Sequence, residues 1–390
     1  MSGRADVVVV GGGIVGLATA WTLSRTEPRL DVVVLEREAA VGQHQSSHNS
    51  GVLHAGVYYE PGSLKADLCR RGGDAIRRFC AERGIEVRTD GKVVVAVDPS
   101  ELPRFDALVA RATANGVPGL EVLDADGLRA IEPEVAGIRA LRSPTTAVVD
   151  FGAVCRALAA ELDAVHLGWE AVRVVERSDG VTVETTQGEM HARTAVVCAG
   201  LPGERLAAAS GIATDVRIIP FRGSWVVLRP AAAARVRGNV YPVPDPALPF
   251  LGVHLTRRID GAVWAGPNAV LSLRADPAVL GRAVRFAGTA RLAARHWRTG
   301  AAELWRDTVR RAYARDIARY LPGTTVDDLE AGPRPFGVRA QAVARNGALV
   351  DDFVIEGAGR AHFVLNAPSP GATSALAIGE HLAARVRAQL

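Results

Sequence analysis

Apolar positions along the chain fall into a few repeating arrangements, and each predicts an element. Asp6-Val-Val-Val-Val10 is a short unbroken apolar run ended by three glycines, the pattern of a strand buried on both faces. Apolar and small residues from Ile14 to Trp21 predict a helix directly after the glycines, and Asp31-Val-Val-Val-Leu-Glu36 repeats the buried-strand pattern. Mixed polar and apolar spacing predicts helices from Gly62 to about Arg83 and from Leu102 to Asn115, with a strand from Lys92 to Val97 between them. Alternation from Gly180 to Gly188 predicts a hairpin, followed by a strand Ala195 to Cys198 that runs into Ala199-Gly200. Residues 215–335 hold Val- and Ile-rich strands with proline-laden connections, including the apolar run Phe250-Leu-Gly-Val-His-Leu255. Within them, Ala278 to Tyr320 reads as two or three amphipathic helices burying Phe286, Trp297, Trp305, Tyr313 and Tyr320 on a sheet. The chain closes with a strand at Val364, a Pro/Gly turn and a helix.

This order predicts an α/β fold with a discontinuous Rossmann-like nucleotide domain of the glutathione-reductase type and a second, mixed-sheet α+β substrate domain. The expected division gives 1–83, 147–214 and 336–390 to the nucleotide domain and 84–146 and 215–335 to the substrate domain. With 390 residues, 48% of them hydrophobic, the chain is long enough for two cores. Charged residues make up 23%, which excludes a disordered chain. The net charge is +4 and arginine is scattered rather than blocked, so no nucleic-acid partner is expected. Lysine occurs only at Lys65 and Lys92. Four separated cysteines without a CxxC pair point away from a disulfide framework or zinc ribbon and towards a reducing cytoplasm. No secretory leader and no membrane-spanning run is read.

Candidate chemistry begins at Gly11, Gly13 and Gly16, which have GxGxxG spacing between the first strand and the first helix. The first glycine permits a tight turn, the second lets backbone approach a pyrophosphate, and the third lets helix pack on strand. Glu36 closes the second strand 20 residues past Gly16, where a carboxylate can accept the ribose hydroxyls of an adenosine and disfavours a 2′-phosphate. After Glu36-Arg37 the chain enters a loop of small residues and histidines, His44-Gln-Ser-Ser-His-Asn-Ser-Gly-Val-Leu-His-Ala-Gly-Val-Tyr-Tyr59. That layout suits an extended FAD, whose flat ring lies far from its adenine, because Ser and Gly backbone can lie against a ring. Arg37, Asn49, Ser50, Gly51, Val172, Ala199, Gly200, Gly371, Ala372 and Thr373 complete the candidate cofactor contacts. His44 and His48 lack an acidic residue to complete a ligand set, so no metal is expected.

The chain resembles the FAD-dependent L-2-hydroxyglutarate dehydrogenase/oxidase family, within the wider D-amino-acid-oxidase-like flavoenzymes. The resemblance is carried by the histidine loop with Pro61-Gly-Ser-Leu-Lys-Ala66, by Pro220-Phe-Arg-Gly223, Tyr241-Pro-Val-Pro-Asp-Pro246, Pro249-Phe-Leu-Gly-Val-His-Leu-Thr256, Gly266-Pro-Asn-Ala-Val270, Gly337-Val-Arg-Ala-Gln-Ala-Val343, Leu349-Val-Asp-Asp-Phe353 and Asn366-Ala-Pro-Ser-Pro370. Two stretches depart from the family pattern: Ser46-Ser47 stands where relatives often carry Thr-Gly, and Leu271-Ser-Leu-Arg-Ala-Asp276 replaces an aromatic or acidic run.

The resemblance implies oxidation of L-2-hydroxyglutarate to 2-oxoglutarate, with FAD as cofactor and a quinone, dioxygen or another acceptor taking the electrons. Oxidising an alcohol leaves a hydroxyl proton to be removed, and histidine suits that task near neutral pH. His54, on the flavin loop, and His254 are the candidates, with His54 favoured; relatives in the wider superfamily sometimes attach flavin through a histidine in this region. A dicarboxylate calls for cations, and the planar fork of arginine grips carboxylates in pairs of hydrogen bonds. Arg339, Arg222, Arg257 and Lys65 are the candidate cations, and Tyr59 and Tyr241 candidate wall or hydroxyl contacts. Other readings remain open here: an oxidase of an amino acid or of a related 2-hydroxy acid on the same scaffold, or a non-catalytic flavin-binding partner protein. The arginine-rich aromatic helices also admit peripheral contact with the inner face of the cell membrane.

Overall fold

The computed structural model describes residues 2–246, 248, 250–272, 277–357 and 359–390. Its central element is the strand Ser2–Val10, which pairs in parallel with Val32–Glu36 on one side and with Gly188–Val197 on the other. Val7, Val8 and Val9 have no exposed surface, as an unbroken apolar run in the middle of a parallel sheet requires. Ala164–Leu167 extends the sheet beyond Val32–Glu36. The hairpin of Ala171–Glu176 and Val181–Thr185 extends it beyond Gly188–Val197, and Ala361–Asn366 joins the C-terminal half of that strand. Helices Ile14–Thr26, Phe151–Ala160 and Ala375–Arg387 cover one face and share a core with Val7, Val9 and Val34. The first and last of these cross where Gly379 leaves room: a Cβ there would lie 2.6 Å from the Ala18 carbonyl oxygen. Helix Gly203–Ala209 covers the other face through Leu206 and Ala207.

A seven-stranded sheet takes strands from both halves of the expected substrate domain. Lys92–Ala96 lies between Asn239–Pro242, in parallel, and Arg139–Ser143, antiparallel. Val216–Ser224 is absent from that sheet. It pairs along its whole length with Phe336–Ala344 and at one end with Val270–Leu271. Among the described residues the strands of the expected substrate half therefore fall in more than the one sheet the sequence predicts, and Phe336–Ala344, placed by sequence with the nucleotide domain, is one of the three strands of the smaller sheet with Val216–Ser224.

The stretch after 277 folds as three helices, Pro277–Arg285, Ala287–Thr308 and Arg310–Ala318. Tyr313 and Tyr320 pack into the core under the seven-stranded sheet, as expected. Trp297 and Trp305 do not: each keeps 62% of its surface exposed, because Ala287–Thr308 buries only Gly288 and Leu292. Only His254–Arg257 of the Phe250 run is a strand; Phe250 and Leu251 instead form cavity wall. Leu273–Asp276, which carry most of the second departure from the family pattern, lie outside the described residues.

Candidate functional site

The glycine turn builds one end of a long cleft. Gly11 has φ +109°, and a Cβ there would lie 2.5 Å from the Cys198 carbonyl oxygen. Gly16 touches the same turn from the helix side, where a Cβ would meet the Gly11 carbonyl oxygen at 2.0 Å. Gly13 differs: a Cβ there would meet only the Ser46 hydroxyl, at 3.3 Å, so its open side belongs to the cleft. Gly11 and Gly13 line the cleft and Gly16 supports them from behind. The Glu36 carboxylate accepts from the backbone N–H of Gly12 at 2.6 Å and of Glu38 at 2.9 Å, which fixes it at the edge of the turn. Ser46, one of the two serines that depart from the family pattern, accepts from the Ile14 N–H at 2.9 Å and so caps the first helix.

Small residues hold the histidine loop in place. Asn49 donates to the carbonyls of Gln45 and Ser46 and accepts from the Gly51 N–H at 2.8 Å. Gly51 takes φ +77°, a left-handed turn that glycine adopts without strain. His48 packs its carbonyl against Gly337 and bonds its own Nδ1 to the His44 carbonyl. His44 rests between Arg37 and Glu38, where burial and then the Arg37 charge lower its pKa. The cleft, about 1310 Å³ in volume, runs on from Arg37, Asn49 and Ser50 past Ala199, Gly200 and Val172 to the turn Gly371-Ala372-Thr373. Thr373 Oγ1 accepts from the His54 N–H at 3.1 Å, which ties the loop to the turn before the last helix.

His54, His254, Tyr58, Tyr59, Tyr241, Phe250 and Arg339 converge at the inner end. His54 Nδ1 is buried without a hydrogen-bond partner, and His54 titrates far below an ordinary imidazole, at about 3. Desolvation is the main cause, followed by the positive charges of Lys92, His254 and Lys65. His254 is pushed down to about 4, again chiefly by desolvation. Its Nδ1 lies 3.0 Å from the Gly252 carbonyl oxygen. A carbonyl can only accept, so the proton sits on Nδ1 and the Nε2 lone pair is left available. Both imidazoles are neutral at pH 7, the form a proton acceptor needs. The Arg339 guanidinium lies over the Phe250 ring, 4.8 Å from its centroid, and among the described residues no carboxylate is ion-paired with it. A second cavity of about 350 Å³ shares Arg339 and Phe250 and adds Gln341 and Asp351.

Three proposed cations lie elsewhere. Arg222 is ion-paired with the half-buried Asp307 behind the cleft wall. Arg257 bonds the Arg237 carbonyl at 3.3 Å on the far side of its strand. Lys65 is buried one layer back, 2.7 Å from Asp351 and over the Tyr59 ring. All three partners are distant in sequence, so no local pattern reveals them. Sequence reasoning passed over Tyr58, Lys92, and Arg104 and Arg111, which line the cleft from helix Leu102–Ala114. Lys92 had a readable signal: it is one of two lysines in an arginine-rich chain and opens an apolar strand.

The residues fit an FAD. The cleft is long and walled by glycine, alanine and serine at its phosphate end, with Gly13 open where a Cβ would intrude. Its far end offers to a substrate beside a flat ring two neutral histidines and a cation, Arg339, that no carboxylate pairs among the described residues.

Comparison with known proteins points to the same cofactor. Residues 6–385 match the family model described as FAD dependent oxidoreductase. The chain is 40% identical to the L-2-hydroxyglutarate dehydrogenase of Escherichia coli K12, covering 99% of this chain and 94% of that protein. It is 38% identical to the mitochondrial L-2-hydroxyglutarate dehydrogenase of Homo sapiens, covering 98% of this chain and 88% of that one. Among solved structures it is similar to dithionite-reduced L-alpha-glycerophosphate oxidase from Mycoplasma pneumoniae with FAD bound, with a TM-score of 0.79, 22% identity, and coverage of 98% and 94%. It is also similar to glycine oxidase from Geobacillus kaustophilus, with a TM-score of 0.74, 20% identity, and coverage of 99% and 95%.

The two buried histidines contribute to the acid stability of the protein. Both have folded pKa values below the ordinary 6.5, so the unfolded chain binds more protons wherever the pH lies between the two values. Stability therefore falls as pH drops from about 6.5 towards 4. Thermal melting from pH 7.5 to 4.5 checks this: His54→Gln and His254→Gln are each expected to flatten the acid slope, and an unchanged slope in both contradicts it.

Proposed function

The chain belongs to the family of FAD-dependent oxidoreductases, and from that premise we propose that it oxidises L-2-hydroxyglutarate to 2-oxoglutarate. The observation that carries this reading is the inner end of the cleft, where Arg339 has no carboxylate partner among the described residues beside two histidines that stay neutral at pH 7. A small diacid supplies the missing negative charge and its alcohol the proton for a neutral imidazole to accept. FAD, when bound, supplies the acceptor for the hydride that leaves the carbinol carbon. Arg339 holds one substrate carboxylate through its planar fork. The second lies towards Arg104 and Arg111, which line the cleft in ion pairs with Asp245 and Glu60 that it would exchange for its own. The hydroxyl proton goes to one of the pair His54 and His254. Tyr241, stacked on His254 with ring centroids 4.1 Å apart, fixes the orientation of that ring. Tyr58, Tyr59 and Phe250 enclose the reacting carbon and exclude water, which strengthens each charge interaction inside.

The purified yellow protein is expected to lose its flavin absorbance on anaerobic mixing with L-2-hydroxyglutarate. Arg339→Met is expected to raise the half-saturating concentration about 10- to 100-fold, the loss of a charged hydrogen bond. Glutamine at the histidine that acts as base is expected to slow reduction about 10²- to 10⁴-fold. An unchanged spectrum with this substrate, or ammonia release from an amino acid in its place, contradicts the reading.

For the electrons we propose a quinone acceptor met at the inner face of the cell membrane. No described helix is long and apolar enough to cross a membrane, so contact would be peripheral. Trp297, Leu304 and Trp305 expose more than half their surface on one helix, beside the exposed arginines Arg295 and Arg298. Tryptophan with arginine on a surface helix suits the headgroup layer of an anionic bilayer. Sedimentation with vesicles containing anionic lipid is expected for the native chain and lost in Trp297→Ser/Trp305→Ser; no sedimentation of the native chain contradicts the contact.

A further inference from the structure

Lys92 is 2% exposed, and its Nζ is buried without a hydrogen-bond partner among the described residues. A cation in that position costs free energy unless something else stabilises it. Its neighbours are aromatic faces. Nζ lies 4.4 Å from the Tyr58 ring centroid and 5.2 Å from that of Tyr241, both within cation–π range. The two tyrosine rings are stacked with centroids 6.4 Å apart, and Tyr241 stacks in turn on His254. Lys92 is thus behind the wall of the cleft, while the three rings that follow it form that wall.

Among the described residues, the groups packed around Lys92 are neutral or positive. The strand neighbours opposite it are Asn239 and Ser143. Helix Leu64–Glu82 presents Cys69, whose thiol burial pushes up to about 12, and Lys65. The loop presents His54, Tyr58 and Tyr59, and the sheet presents Tyr241 and His254, with Arg339 near His254. Asp351, which acts on Tyr59, is ion-paired with Lys65.

We propose that Lys92 is a positioning residue of the reaction: its ammonium group clamps the Tyr58–Tyr241–His254 stack from behind, and its charge adds to the desolvation that keeps His54 and His254 in the proton-accepting form. The charge is available where it matters. Burial lowers Lys92 to about 7, so it is protonated throughout the range below 7 in which the histidines would otherwise gain a proton. Removing that charge raises the pH at which the histidines protonate. The role in catalysis rests on the function proposed above; the effect on the histidines does not.

The test uses the full chain with its FAD and two variants, Lys92→Met, which keeps length and loses charge, and Lys92→Arg, which keeps charge. Histidine ring signals are followed by NMR against pH, with His54 and His254 assigned from their glutamine variants. In Lys92→Met at least one of the two is expected to titrate about one pH unit higher than in the native protein. The acid limb of the pH profile for flavin reduction is expected to move up with it. Lys92→Arg is expected to stay near the native values. Titration in Lys92→Met at the native pH, or an equal shift in both variants, overturns the proposal, the second because it would reflect packing alone. Should Lys92→Met fail to fold, Lys92→Gln takes its place with the same expectation. A histidine shift in a protein whose flavin L-2-hydroxyglutarate does not reduce would leave Lys92 in its electrostatic role and remove the substrate reading instead.

Discussion

A cation withdrawn from water and given no counter-charge among the described residues is expensive to maintain; the inner end of the cleft holds Arg339, and behind its wall lies Lys92, whose ammonium burial already brings to about 7. Each lies against aromatic faces, which recover part of the cost without neutralising the charge. The field that remains has two effects. It adds to desolvation in keeping His54 and His254 unprotonated, and it attracts an anionic ligand into the space they share. Had Arg339 been ion-paired as Arg222 is with Asp307, an incoming carboxylate would have to displace a protein carboxylate before binding.

The fold supports this arrangement by bringing distant parts of the chain to one line. The parallel sheet delivers the glycine turn, Glu36 and Ala199-Gly200 at the ends of neighbouring strands, the usual place for a nucleotide in such a sheet. The seven-stranded sheet delivers Tyr241 and His254 on paired strands, with Lys92 opening the strand beside Tyr241. The smaller sheet delivers Arg339. Thr373 joins the histidine loop to the last turn, so the wall that holds His54 is continuous with the one that would face a flavin ring.

The parts of the site that depend on local geometry were legible in the sequence. Gly11 takes a positive φ and Gly16 lies against the Gly11 carbonyl, both constraints of the turn itself, while Gly13 faces the cleft, and Glu36 follows at a spacing fixed by one helix and one strand. His54, His254, Tyr241 and Arg339 were legible through the resemblance of longer stretches, and the structure brings them together. The division of labour among cations was not legible. Arg222 pairs with Asp307 and Lys65 with Asp351, across separations no periodicity encodes. Lys92 reaches Tyr241 only because its strand pairs with Asn239–Pro242. Trp297 and Trp305 were expected in a core because amphipathic spacing says which residues share a face, and not whether a partner covers that face.

The central claim is that unpaired positive charge beside neutral histidines selects a diacid. It is tested most directly by equilibrium binding of unreactive ligands to the oxidised yellow protein, followed by the perturbation of its flavin spectrum. Glutarate and 2-oxoglutarate are expected to perturb the spectrum saturably, and 2-oxobutyrate, one carboxylate poorer, to bind at least about tenfold more weakly, the loss of one charged contact. Equal affinity for the diacid and the monoacid, or binding that Arg339→Met leaves unchanged, would contradict the account.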